Sequence, residues 1–137
     1  MNNRANIRLA VAVIFAVAGG VGTPVSVSSQ EAKKADAAAP SYKASPEVYK
    51  LLSENEHFRV FEVTWKPGQR DAWHSHPGPL TAYSLTDCEA MRAHTPDGKF
   101  TDRGRKAGTV TYNPVIVSHS LENRGKTDCK IIIVEKK

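Results

Sequence analysis

The chain has 137 residues, 40% of them hydrophobic and 24% charged, with two cysteines and a formal charge of +5. That length fits one domain and leaves little room for a second. Two cysteines are too few for a disulfide-dense miniature or a four-cysteine zinc site, and no uninterrupted apolar run reaches the roughly 18 residues of a clean membrane span.

Arg4 and Arg8 precede the apolar stretch from Leu9 to Gly22, and small residues follow at Ser26 to Ser29. This is the order of a secretory signal peptide, so residues 1–29 are expected to be removed by cleavage after Ser28 or Ser29. An uncleaved anchor is the alternative, since no charge lies between Leu9 and Val27. Either way the folded part faces an exported compartment, periplasmic or extracellular, and after cleavage no stable membrane insertion is expected. Removal of Arg4 and Arg8 leaves a charge of +3 over 108 residues. The remaining charges are interspersed, with one small basic knot at Arg103, Arg105 and Lys106. They read as a solvated surface and not as a nucleic-acid patch.

Residues 30–44, rich in alanine and lysine, read as a flexible linker, and the folded domain is expected over 45–137. Ser45-Pro46-Glu47 has the order of an N-cap, an N1 proline and a first-turn acid. Val48, Leu51 and Leu52 then recur at helical spacing, which predicts one short helix. Phe58 to Trp65 changes to an extended pattern and stops at the turn signal Lys66-Pro67-Gly68. Further strands are expected over Asp71 to His76, Leu80 to Leu85, Cys88 to Thr95, Phe100 to Asp102, Thr109 to Tyr112, Val115 to Leu121 and Cys129 to Val134. Pro96-Asp97-Gly98-Lys99 has the composition of a hairpin turn. Seven or eight short strands at turn intervals of about 8–12 residues suggest an all-β sandwich or barrel.

The chemistry concentrates at Trp73-His74-Ser75-His76. In a strand, residues two apart share a face, so His74 and His76 present their imidazoles side by side to one metal ion. Gly68 stands six residues before His74. Downstream, Gly108, Pro114, His119 and Asn123 keep a second fixed spacing. In these two motifs the chain resembles the cupin family over essentially the whole mature domain. Three departures stand out, one of them the first motif's closing glycine, which is missing near Asp87 or Cys88. The glutamate that the family places three or four residues after the second histidine would fall at Leu80 or Thr81, and the second motif's inner glycine is Ile116.

The resemblance implies a cupin-type jelly-roll β-barrel, a possible homodimer, and a metal set made of His74, His76 and His119 pointing into the barrel. Three neutral imidazoles leave a divalent ion's charge uncompensated and some coordination positions open, which favours a small anionic ligand or substrate. The arrangement looks like that of cupins that oxidise thiols or cleave diketones. Fe(II) is therefore the favoured ion and a metal-dependent dioxygenase the expected activity, with Zn, Ni or Mn as other occupants. The competing reading is a non-catalytic module that binds a metal or small ligand.

If Thr81 faces inward, Tyr83 shares its face and becomes a candidate catalytic phenol beside the metal; the opposite register puts it outside. His57 and His94 read as solvent-facing, and Trp73 and Tyr112 as packing aromatics. Cys88 and Cys129 are the only cysteine pair in a chain that reads as exported, so a disulfide is expected, with two separate thiols as the alternative.

Overall fold

The strand Phe58–Trp65 (β2) carries the core. Its inward residues Phe61, Val63 and Trp65 are fully buried. Its full-length antiparallel partner Cys129–Lys136 (β9) sets Ile133, Ile131 and Cys129 directly opposite them. Paired residues on one face of a sheet touch, and burial of each large apolar side chain contributes about 2 kcal/mol. The computed structural model describes residues 37–137. The expected signal peptide and the first part of the linker lie outside the described residues.

Besides β2 and β9, the strands are β1 (Tyr49–Glu54), β3 (His74–His76), β4 (Leu80–Ser84), β5 (Cys88–His94), β6 (Phe100–Arg105), β7 (Val110–Asn113) and β8 (Ile116–Asn123). They form a five-stranded sheet, β1-β2-β9-β4-β7, and a four-stranded sheet, β3-β8-β5-β6. All strand pairs are antiparallel. The described residues adopt the expected all-β class with one short helix.

The helix stands elsewhere than expected. It is α1, Ser41–Ala44, inside the segment read as linker, and Tyr49–Glu54 is a strand. The Ser45 carbonyl accepts from the backbone N–H groups of Val48 and Tyr49, which makes a turn at this point. The apolar spacing of Val48, Leu51 and Leu52 is a helical signal only five residues long, and the open edge of β2 overrides it. Pairing with β2 buries Val48 and Tyr49 and leaves Leu51 and Leu52 exposed. The end of the segment read as linker is docked as well. Ser75 N–H donates to the Ala39 carbonyl, Ser75 Oγ donates to the Ala38 carbonyl at 2.6 Å, and Ser41 is buried.

Two turns place the motif glycines. Gly68 (φ 75°) and Gly108 (φ 82°) sit third in four-residue turns closed by Gln69 N–H to Lys66 O and Thr109 N–H to Lys106 O. A side chain at that φ is strained, which explains glycine at both positions. Gly78 is a glycine for a different reason: a Cβ there would lie 1.7 Å from the Lys136 carbonyl oxygen. Asn123 is a buried staple. Its side-chain amide donates to the Trp65 and Thr127 carbonyls, and its Oδ1 accepts from Gly125 N–H. Cys88 and Cys129 form a disulfide, which ties β5 of one sheet to β9 of the other.

Candidate metal centre

His74 and His119 are direct partners across β3 and β8, and an irregularity in the register brings His76 opposite Ile116. The three rings converge with centroid separations of 4.4, 5.1 and 5.3 Å. One nitrogen from each lies within 4.8 Å of the others. His74 and His76 are buried and His119 is partly buried. The triad expected from the two motifs is brought together as a set that could hold a metal ion.

Hydrogen bonds fix which nitrogen each of the first two rings offers. His74 Nδ1 is 2.8 Å from the Ala72 carbonyl, which can only accept, so Nδ1 carries the proton and Nε2 keeps its lone pair. His76 Nδ1 donates to Glu135 Oε2 at 2.8 Å, which leaves its Nε2 likewise free. His119 Nε2 is buried with no hydrogen-bond partner. A buried polar atom without a partner is costly, and a cation held by three Nε2 atoms would supply one.

Burial, the nearby His74 and His76, and Arg103 together push the His119 pKa down to about 3. Burial also holds His74 below its ordinary value, opposed in part by Asp71. Neutral imidazole is the form that ligates, so both rings are ready ligands at neutral pH.

Three residues that the sequence reading did not single out complete the site. Asp71 Oδ2 accepts from Tyr49 Oη at 3.0 Å and from Trp65 Nε1 at 2.9 Å, while its Oδ1 accepts from Leu121 N–H at 2.7 Å. Tyr49 Oη also lies 3.1 Å from His74 Nε2. With its one hydrogen given to Asp71, the phenol oxygen turns a lone pair toward the Nε2 lone pair. A neighbouring cation would relieve that opposition. Burial first, and then the charge of Asp71, raise the Tyr49 phenol well above its ordinary pKa.

Glu135 is the third. It lies at the inward end of the alternation Ile131, Ile133, Glu135 on β9, and that inward position was its one sequence signal. Asp71 and Glu135 are both buried and each stands beside a ligand histidine. A divalent ion held here would have its charge partly offset by these two carboxylates from behind the histidines, although Glu135 also lies 3.7 Å from Arg59 Nη1.

Tyr83 takes the outer face. On β4 the buried positions are Leu80, Ala82 and Ser84, so the inward register is the opposite of the one that Thr81 would need, and Tyr83 is 46% exposed. Tyr49, from the strand read as helix, is the phenol inside. His94 is partly buried and within hydrogen-bond distance of Glu122 at 3.0 Å, unlike the solvent-facing position expected; His57 is exposed beside Glu56. Trp73 and Tyr112 are exposed as well, not packed.

The barrel interior beside the triad is a cavity of about 220 Å³. His76 and His119 line it together with Tyr49 and an apolar wall that includes Leu80, Ile116 and Ile131.

No protein-family model and no curated protein matches the chain. Solved structures do share its fold. A cupin domain from Bordetella pertussis superposes with a TM-score of 0.60 at 23% identity, covering 66% of this chain and 92% of that one. An RmlC-like cupin family protein with a double-stranded β-helix fold from Methanocaldococcus jannaschii gives 0.53 at 17% identity, covering 65% and 78%. A double-stranded β-helix protein from Klebsiella pneumoniae gives 0.53 at 23% identity, covering 65% and 75%. With two antiparallel sheets around an inward-facing histidine triad, the chain has the cupin-type fold.

Proposed function

We propose that the protein is an exported metal-binding cupin that holds one divalent transition ion on His74, His76 and His119 and acts as a metal-dependent oxygenase on a small anionic substrate. The observation that carries this reading is the buried, partnerless Nε2 of His119 beside the unprotonated Nε2 atoms of His74 and His76. Export is supported by the buried disulfide, a bond that persists in oxidising compartments. No helix among the described residues is long and apolar enough to cross a membrane.

A bound first-row ion would supply Lewis acidity and, as Fe(II), the redox chemistry that dioxygenases use. The protein's own contributions are separate from that. Glu135 and the Ala72 carbonyl hold two rings in the ligating tautomer. Asp71 accepts the Tyr49 proton and so holds the phenol oxygen beside His74 Nε2 at the triad. Leu80, Ile116 and Ile131 give the cavity an apolar wall. The homodimer implied by the family resemblance is supported by the exposed Tyr112, Val115 and Val117 at and near the edge strand β7.

The non-catalytic reading draws on the outward position of Tyr83 and on the engagement of Tyr49 by Asp71, which leave no unengaged tyrosine hydroxyl among the cavity residues. Elemental analysis of protein purified from its own compartment tests the metal, and oxygen consumption on thiol and diketone panels tests the activity. One ion per chain, lost in both His74→Ala and His119→Ala, is expected. Absence of stoichiometric metal would remove the reading. Metal without oxygen consumption would leave the binding module.

A further inference from the structure

Two arginines enter the cavity from β6 with no acid to meet them. Arg103 and Arg105 both line it, and their partners across β5 are Met91 and Cys88, both buried. Paired residues share a face, so these arginines rise from the inward side of the sheet. The adjacent Asp102 is instead engaged by Arg92 through two bonds of 2.7 Å.

No aspartate or glutamate lines the cavity. Among the described residues, no carboxylate lies within ion-pair distance of Arg103 or Arg105. Burial and the charge of Arg103 hold Arg105 below its ordinary pKa, and the charge of Arg103 also reaches His119. Arg105 is half-buried and Arg103 exposed, and two like charges held close are unfavourable unless an anion joins them. The two arginines give this end of the cavity a positive charge that no carboxylate among its lining residues meets.

We propose that Arg103 and Arg105 form an anion-recognition end of the cavity, and that its ligand is a small carboxylate with an apolar body. A guanidinium is a planar fork that matches a carboxylate with two parallel bonds. Leu80, Ala82, Ile116 and Ile131 supply the apolar wall for the rest of the molecule. The volume, about 220 Å³, suits a small ligand with a short apolar chain. This deepens the function proposed above by naming the substrate class, yet the carboxylate contact itself does not need the metal.

The test is calorimetric or NMR titration of the purified full-length protein, metal-free and metal-loaded, with butyrate, its neutral counterpart butyramide, and inorganic phosphate. Saturable butyrate binding is expected, weakened by added salt, with butyramide and phosphate each at least about tenfold weaker. Arg103→Gln and Arg105→Gln are each expected to lose about tenfold or more in butyrate affinity while metal stoichiometry stays unchanged. Thermal unfolding checks each variant. If Arg105→Gln does not fold, the exposed Arg103→Gln decides.

No saturable butyrate binding, equal binding of butyramide, tighter binding of phosphate, or wild-type affinity in the arginine variants would each overturn the proposal. The two readings fail separately. Carboxylate-selective binding in a protein that takes up no metal removes only the metal reading, and stoichiometric metal without carboxylate selectivity removes only this one.

Discussion

Leu80 and Glu135 stand directly opposite each other across β4 and β9. Leu80 is one of the two positions at which the first motif would place its glutamate. Opposed residues on one face of a sheet have Cβ atoms about 5 Å apart, so a carboxylate from the facing strand arrives at the same level of the barrel. Here it meets His76 at Nδ1, behind the ring, while Nε2 faces the centre. The acid missing from one strand is supplied by its neighbour, in an orienting position.

Glu135→Gln keeps the size of that side chain and removes its charge. Partners behind a ligating histidine are worth about 10–100-fold in metal affinity. Competition against a chelator, with Zn(II) as a redox-inert reporter, should show a loss of that order. An unchanged affinity would mean that Glu135 serves packing alone.

Asp71→Asn should destabilise the fold by about 3 kcal/mol, because an amide cannot accept from Tyr49 Oη, Trp65 Nε1 and Leu121 N–H together without leaving a buried donor unmet. Tyr49→Phe removes a single donor from the same acid and should cost about 1 kcal/mol. Urea unfolding of the two variants side by side checks both size and order.

Acid should destabilise the metal-free protein in a window set by His119. Its folded pKa of about 3 lies below the ordinary 6.5, so between these values the unfolded chain binds the extra proton. The contribution of His119 is complete above pH 6.5 and falls progressively toward pH 3, reaching a loss on the order of 3 kcal/mol by about pH 4. His74, shifted in the same direction, adds to the slope. Melting temperatures recorded across the window should fall with pH, and less steeply in His119→Gln. At the alkaline end, phenolate absorbance should show a late step that Tyr49→Phe removes.

The disulfide closes a separation of 41 residues and should contribute about 4 kcal/mol. Unreduced denatured protein should titrate no thiols, and unfolding with and without reductant should reveal the difference. Two reactive thiols per chain would contradict the pairing.

Where the sequence reading succeeded, the signal was local. The strand over Phe58 to Trp65 is read from its own pattern, and the triad from two fixed spacings with glycine turns at both ends. Where it failed, the deciding partner was remote. Tyr49 looked helical because only the edge of β2 makes its segment a strand. Tyr83 depended on a register in which one slip reverses every side chain, and Leu80 and Ala82 won the inward face. Asp71 carries no pattern at all, since its three donors come from β1, β2 and β8.

Gly78 sets a condition on any descendant of this chain. It occupies the bend between His76 and Leu80, with its backbone pressed on the carbonyl of Lys136, one residue beyond Glu135. Even a methyl group there would push the end of β9 outward and carry the relocated carboxylate away from His76. Glycine at 78 and glutamate at 135 should therefore be inherited or lost together. That joint inheritance gives a signature for recognising homologues that share this form of the site, where the His-x-His spacing alone would not separate them from the rest of the fold.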